Sequence, residues 1–305
     1  MKWALIDIFG FQINKLKALL SNIIRWYSLH LPFPHKGLKY FEWLLRRFSL
    51  QKERYVKKLP DGLLMELSAN DHIEKYLFWY GAYEKKEVTT MQTLLNADSV
   101  LVDIGANIGY YSLMAAKRIT AGHIYSFEPV TKNLEKLERN ISLNRFAIIH
   151  PIQAAVSNVS GSTTIYISGD DNSGMSGLRS AENFSGQSET VRCLTLDEAV
   201  SEYNLPKIDL IKIDVEGSEI TVLQGMTKTR AEQKPIILIE VSAATLSMYN
   251  ERIETIYQVL SADQYIAYRV IDINVLEKIS TPQEADLVFF VPKHYVFPAA
   301  IKVIS

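Results

Sequence analysis

Val100-Leu-Val-Asp103-Ile-Gly105-Ala-Asn107-Ile-Gly109 is the stretch that decides the fold of this chain. An apolar run enters a glycine-bearing turn and leads into an apolar helix over 110–118. Gly105 lets the backbone turn tightly and approach a ligand, and Gly109 lets the helix pack close to the strand. Outward from this unit, apolar strands over 99–104, 123–127, 148–156, 208–215, 235–241 and 287–292 alternate with helices over 130–143, 196–203, 218–226 and 253–261. That alternation predicts an α/β fold, a doubly wound and mostly parallel sheet with helices on both faces. Ligands of such sheets bind beyond the carboxyl ends of the strands, where the strand order reverses.

The residues at those ends suggest the ligand. Asp103 closes the first strand, where a carboxylate suits a cation such as an amino-acid ammonium. A dinucleotide fingerprint would read Gly-x-Gly-x-x-Gly and cradle a pyrophosphate. Here the pattern is Asp-x-Gly-x-Asn-x-Gly, whose acid repels a phosphate, so the charge favours S-adenosylmethionine over NAD. Glu128, in Tyr125-Ser-Phe127-Glu128-Pro129, ends the second strand 25 residues after Asp103. It is placed to take both ribose hydroxyls of either cofactor. In Gln153-Ala154-Ala155-Val156-Ser157 the small side chains leave room for an adenine ring.

The fourth strand runs through Lys212-Ile-Asp214-Val-Glu216-Gly217-Ser-Glu219. Asp214 and Glu216 would lie at the rim, where they could take a proton from a hydroxyl, orient an acceptor or hold a divalent ion. Glu219 suits the start of a helix. Asp214 and Glu240 could share a Mg²⁺, although no metal ligand is assigned. His123, His150 and His294 each stand without a partner in the sequence and read as surface or core residues.

Composition bounds the remainder. The 305 residues are 48% hydrophobic and 22% charged, enough for a sizeable core, and the net charge of −1 gives no electrostatic case for nucleic acid. A lone Cys193 fits a reducing cytoplasm, and no Cys/His spacing suits zinc. The sequence shows no convincing signal peptide and no apolar run long enough for a membrane span.

Three regions follow: a helical, basic extension over 1–55, a hairpin and helix over 56–98, and the ligand-binding domain over 99–305. Residues 1–60 hold twelve Lys and Arg against three acids. Such an extension packs as an amphipathic helix on the domain or on a second copy in a homo-oligomer, or makes a peripheral membrane contact. The Gly-, Ser- and Asn-rich stretch over 169–187 reads as a long loop of the lid or acceptor-binding kind.

Taken in order, Asp103-x-Gly105-Ala-Asn107-x-Gly109, Phe127-Glu128-Pro129, Leu194-Thr195-Leu196-Asp197 and Lys212-Ile-Asp214-Val-Glu216-Gly217-x-Glu219 resemble the FkbM family of methyltransferases. Asp61-Gly62, Asp71 and Gly81-Ala-Tyr83-Glu84 extend the likeness, which covers about residues 60–293. The resemblance implies a class I, Rossmann-like fold of seven strands, S-adenosylmethionine as donor, and O-methylation of an acceptor such as a sugar, glycan, glycolipid or natural product. It assigns Asp103, Gly105, Asn107 and Glu128 to the donor, and Asp214, Glu216 and Gly217 to the rim of the active site. Gly109, Pro129, Ala155 and Asp214 complete the expected donor contacts. No family motif fixes a base, so Asp214 and then Glu216 are the candidate catalytic residues. The competing readings are an NAD-dependent oxidoreductase and a non-catalytic adaptor working through the basic N-terminus.

Overall fold

The computed structural model describes Trp26, residues 54–68, residues 71–168, Gly177 and residues 184–304. The expected basic helices of the N-terminal extension, and most of the 169–187 stretch, lie outside these residues. The chain divides into two compact units, one ending at Tyr83 and one beginning at Glu84. No helix among the described residues is long and apolar enough to cross a membrane.

In the first unit β1 (Arg54–Lys58) pairs antiparallel with β2 (Leu64–Ser68). The Pro60-Asp61-Gly62 turn forms as its chemistry predicts: Gly62 takes φ +96°, and Asp61 Oδ1 accepts from Leu63 N at 3.1 Å. Helix α1 (His72–Tyr80) begins at Asp71, whose Oδ1 accepts from the amides of Ile73 and Glu74, and ends at Gly81 in the left-handed region. Asp61-Gly62, Asp71 and Gly81 are therefore turn and capping residues. The helix expected within 56–98 is divided at Gly81, and α2 (Lys85–Leu94) belongs to the second unit.

The second unit is built on one nine-stranded sheet, ordered β14-β12-β11-β13-β10-β9-β3-β4-β5. β5 (Ile149–Ile152), β4 (His123–Phe127), β3 (Val100–Ile104), β9 (Leu210–Ile213) and β10 (Ile236–Val241) run parallel. β13 (Ala285–Pro292) lies antiparallel between β10 and β11 (Tyr265–Asp272). These are the seven strands of the expected doubly wound sheet. Two more, β12 (Val275–Lys278) and β14 (Lys302–Ile304), extend its far edge. From β3 the chain moves outward to β4 and β5, then returns to β9 on the other side of β3, so the order reverses between β3 and β9.

Strand alternation sorts the side chains onto two faces. Val100, Val102, Ile104, Ile211, Ile213, Ile237 and Ile239 share a core with α5 (Leu196–Glu202), α6 (Glu219–Gln224) and α8 (Ile253–Ala262). Asp103 and Lys212 alternate to the opposite face, where α3 (Tyr110–Ala116) brings Ser112 against Asp103.

Two sequence expectations are corrected between β5 and α5. The single strand over 148–156 breaks at Gln153-Ala154, and β6 (Ala155–Val156) joins a separate sheet with β7 (Gly161–Ser168) and β8 (Phe184–Leu194), ordered β6-β8-β7. Residues 184–187, expected in a loop, lie in β8. The ribbon holds because Ile165 and Val191 bury themselves with Val130 in a small apolar cluster. β-Branched alternation at its base outweighs the Gly- and Ser-rich composition further along.

The Leu194-Thr195-Leu196-Asp197 motif has a structural role. Thr195 caps α5 in a reciprocal box with Glu198. Asp197 accepts from Lys228 N at 2.9 Å and from Thr229 N and Oγ1 at 2.8 and 2.7 Å, which caps α7 (Thr227–Gln233). Asp197→Ala should destabilise the protein by about 1–3 kcal/mol in urea unfolding, since it leaves amides of the first turn unpaired; an unchanged transition would show that this cap carries no weight.

Candidate active site

The turn after β3 is sewn to both neighbouring strands. The amides of Gly105 and Ala106 both donate to Phe127 O at 3.0 Å, and Asp214 N donates to Ile104 O at 3.1 Å. Gly105 has φ +78°, and a Cβ there would stand 1.8 Å from the Asp214 carbonyl oxygen. The close approach that demands this glycine is thus to the end of β9. Asn107 also takes positive φ, at 49°. Gly109 starts α3 at φ +88°, with Leu137 of α4 (Thr131–Asn144) where a Cβ would be.

Glu128 is 4% exposed and is tied into this turn. Its Oε2 accepts from Asn107 N at 2.8 Å, and its Oε1 from Val130 N at 3.0 Å and Asn133 Nδ2 at 3.4 Å. Burial pushes its carboxyl up to about 7 against these stabilising hydrogen bonds. Carboxylate oxygens have more than one lone-pair site, so Glu128 keeps acceptor capacity for hydroxyls. Asn107 Oδ1 is buried and has no hydrogen-bond partner among the described residues. Pro129, half-buried, follows Glu128. Ala155 packs against the Val130, Ile165 and Val191 cluster.

Asp103, expected to meet a ligand ammonium, is fully buried, and an ammonium of the protein stands beside it. Lys212 Nζ lies 3.8 Å from Asp103 Oδ1, 3.0 Å from Asp214 Oδ2 and 4.8 Å from the centre of the Tyr111 ring. Asp103 Oδ2 accepts from Ser112 Oγ at 2.6 Å, and Ser112 Oγ lies 2.7 Å from Ser126 Oγ. Asp103 Oδ1 itself has no hydrogen-bond partner among the described residues. Burial raises the Asp103 pKa, opposed chiefly by Lys212. Burial works against the Lys212 charge, but Asp214 and Asp103 more than offset it, so the lysine stays an ammonium.

Four further carboxylates gather at the carboxyl ends of β9 and β10. Asp214 is partly open to solvent. Glu216 and Gly217 form a turn at φ +53° and +103°, where a Cβ on Gly217 would stand 2.5 Å from Thr245 O. Glu219 is buried; its Oε1 accepts from Gly217 N at 3.0 Å and Val215 N at 3.3 Å, while Oε2 has no hydrogen-bond partner among the described residues. It braces the turn as well as starting α6. Burial, then repulsion from Asp214, raises Glu216 to about 8 and Glu240 to about 9; burial raises Glu219 to about 7.

Among the described residues no three His, Cys, Asp or Glu side chains are grouped so as to hold a metal. At Asp214, weighed with Glu240 for a shared Mg²⁺, the neighbouring cation in the structure is Lys212. His123 and His150 do have a partner, each other, with Nδ1 and Nε2 3.1 Å apart. They sit near the amino ends of β4 and β5, away from the carboxylates. His294 follows antiparallel β13 and also lies at that end of the sheet. Sequence reasoning gave no role to Lys212, Tyr111, Ser112 or Ser126; a lone lysine inside the apolar run Leu210-Ile-Lys-Ile213 was the available signal.

The sequence profile of the methyltransferase FkbM domain matches residues 103–269. The chain is 30% identical over 146 residues to the hexuronic acid methyltransferase AglP of Haloferax volcanii, covering 48% of this chain and 57% of that protein. It is 27% identical over 174 residues to the methyltransferase sdnD of Sordaria araneosa, covering 48% and 67%. The chain thus spans little more than half the length of the first of these relatives. Among solved structures, the methyltransferase FkbM from Methylobacillus flagellatus aligns with TM-score 0.40 at 18% identity, covering 64% of this chain and 44% of that one.

The raised carboxyls fix a pH dependence. Glu128, Glu216, Glu219 and Glu240 keep protons in the folded chain that they lose at about 4.5 when unfolded. Their contribution to stability is present below that value and is lost as pH rises through about 7 to about 9. The thermal midpoint should fall across this window, and Glu240→Gln should flatten the fall and raise the midpoint near the top of the window by about 2–4 °C. Parallel profiles for the two proteins would contradict the assignment.

Proposed function

Because the chain belongs to the FkbM methyltransferase family, we propose that it moves a methyl group from S-adenosylmethionine to a hydroxyl of a sugar-containing acceptor. The observation that carries this reading is the gathering of acids at the switch point: Asp103, Asp214, Glu216, Glu219 and Glu240 stand about the ammonium of Lys212, and burial and mutual repulsion hold several of them protonated until a cation draws their charge out. A phosphate-bearing cofactor would be repelled there, whereas a cation is attracted. When bound, S-adenosylmethionine supplies a methyl group already activated on a positively charged sulfur.

The protein then has to bind, align and exclude water. The orphaned Asn107 Oδ1 and the spare acceptor capacity of Glu128 fit the hydroxyls of a nucleoside. Asp214, Glu216 and Glu240 face the cationic end. Asp103, fully buried beside Lys212, acts as a positioning residue, holding Lys212 and through it Asp214. With Asp214 engaged by Lys212, Glu216 is the better placed of the two candidate bases to take the proton of an acceptor hydroxyl. Support for a sugar comes from the hexuronic acid methyltransferase to which the chain is similar.

Calorimetry and a labelled-methyl assay test this together. The chain should bind S-adenosylhomocysteine and not NAD, and label from the donor should appear on hydroxyls in a panel of free hexoses, hexuronic acids and glycolipids. Glu128→Gln should weaken S-adenosylhomocysteine binding by about 10- to 100-fold, through loss of charge-assisted hydrogen bonds. Binding of NAD in place of the nucleoside thioether would overturn the reading.

A further inference from the structure

Residues 293–301 join β13 to β14 and take no part in the site described above. Lys293 N donates to Gln264 O at 2.9 Å, just before β11 begins, and Lys302 N donates to Asn274 O at 2.8 Å, just after it ends. The segment is therefore a strap that crosses the length of the eight-residue strand β11. A turn shapes each end: Tyr295 N donates to Pro292 O and Ile301 N to Pro298 O, both at 2.9 Å. Phe297 meets Tyr268 of β11 and Tyr295 edge-to-face, with ring centres 5.5 and 5.4 Å apart. Ile301 is buried.

This framework holds apolar side chains outward. Val296, between Tyr295 and Phe297 in sequence, is 86% exposed, more than any other large hydrophobic among the described residues. Ala299 and Ala300 are exposed as well. Leaving such groups in water forfeits the stabilisation that burial gives, and apolar surface with a polar rim is the mark of a protein or membrane contact. The flanks are basic. Residues 287–305 hold Lys293, His294 and Lys302 and no acid, and both lysines are exposed. The acid whose charge reaches Tyr295 is Asp209, and its Oδ2 already accepts from Val100 N at 2.8 Å.

Apolar side chains on an aromatic base, with a lysine at either end, have the chemistry of an interfacial membrane anchor. We propose that the 293–301 strap seats this chain on an anionic phospholipid surface, with Val296, Ala299 and Ala300 entering the headgroup boundary and Lys293 and Lys302 meeting lipid phosphates. Charge selects this occupant over a second copy of the chain. A two-fold contact through the strap sets lysines against lysines, which repel, whereas negative headgroups attract them. The half-buried rings of Tyr295 and Phe297 suit a boundary that is apolar on one side and wet on the other. The contact needs no spanning helix, and it is reversible because a few side chains bury little apolar surface. It stands apart from the chemistry at the strand ends and holds whichever reaction occurs there.

Sedimentation of the full chain with vesicles tests this, using phosphatidylcholine alone and phosphatidylcholine with phosphatidylglycerol at about 3:1. The chain should bind the anionic vesicles and leave the neutral ones, and binding should fall as salt rises. Val296→Asp should lower the partition coefficient by about tenfold and Lys293→Gln by about fivefold, with thermal midpoints unchanged. An environment-sensitive dye on Val296→Cys should shift to the blue on anionic vesicles; the native Cys193 is buried, so the dye reports from position 296. If Val296→Asp fails to fold, Lys293→Gln and the dye decide. A wild type that ignores anionic vesicles, or binds both kinds equally, would overturn the proposal. Binding that neither substitution weakens, or a bound chain whose dye does not shift, would place the contact elsewhere in the chain and overturn it too. An oligomer that Val296→Asp dissociates, with no vesicle binding, would assign the strap to a second copy instead.

Discussion

The ion pair of Lys212 with Asp214 and Asp103 is the constraint on which this site depends. It joins the ends of β3 and β9 at the point where strand order reverses, and the Tyr111 ring covers the ammonium. A buried pair of this kind gains little net stability, because desolvation offsets much of the attraction. Its effect is geometric. Asp103 is held by Ser112 of α3, so Lys212 and the Asp214 carboxylate it reaches are fixed relative to the turn at 105–109. The consequence is a lining in which one cation is already satisfied and the remaining acids are not.

The backbone imposes the same closeness. Gly105 cannot carry a side chain because the Asp214 carbonyl occupies that space, and Gly217 meets Thr245 O in the same way. Two turns from different βα units are thereby pressed together at the end of the sheet. Glu128 closes the third side by accepting from Asn107 N, which links the acid after β4 to the turn after β3. Three strand ends bring acceptors together, several of them buried without donors among the described residues. Such an arrangement is suited to a ligand bearing hydroxyls and positive charge.

The strand-turn-helix unit at 100–116 and the parallel centre of the sheet were legible because local pattern and global fold agree there. An apolar strand buried on both faces, a positive-φ glycine and an apolar helix leave few alternatives. The ribbon of β7 and β8 was not legible, since polar threonines and serines conceal the alternation that buries Ile165, Val191 and Cys193. β11 and β12 were missed as well: in Tyr265–Asp272 burial fades along the strand, and the pattern weakens toward its end. The site was legible as a set of residues but not as partnerships. Asp103 and Lys212 are 109 positions apart, His123 and His150 are 27 apart, and only sheet register brings each pair together. A sequence shows which carboxylates stand at strand ends. It does not show which of them already has a cation.

The most direct measurement is a crystal structure of the full chain grown with saturating S-adenosylhomocysteine. The account predicts the nucleoside over the carboxyl ends of β3, β4 and β9, with its ribose hydroxyls on Glu128, its amino-acid end at the 105–109 turn, and the Lys212 ion pair intact beneath it. A ligand bound elsewhere on the molecule, or a Lys212 drawn away from Asp103 and Asp214 to meet it, would contradict that account.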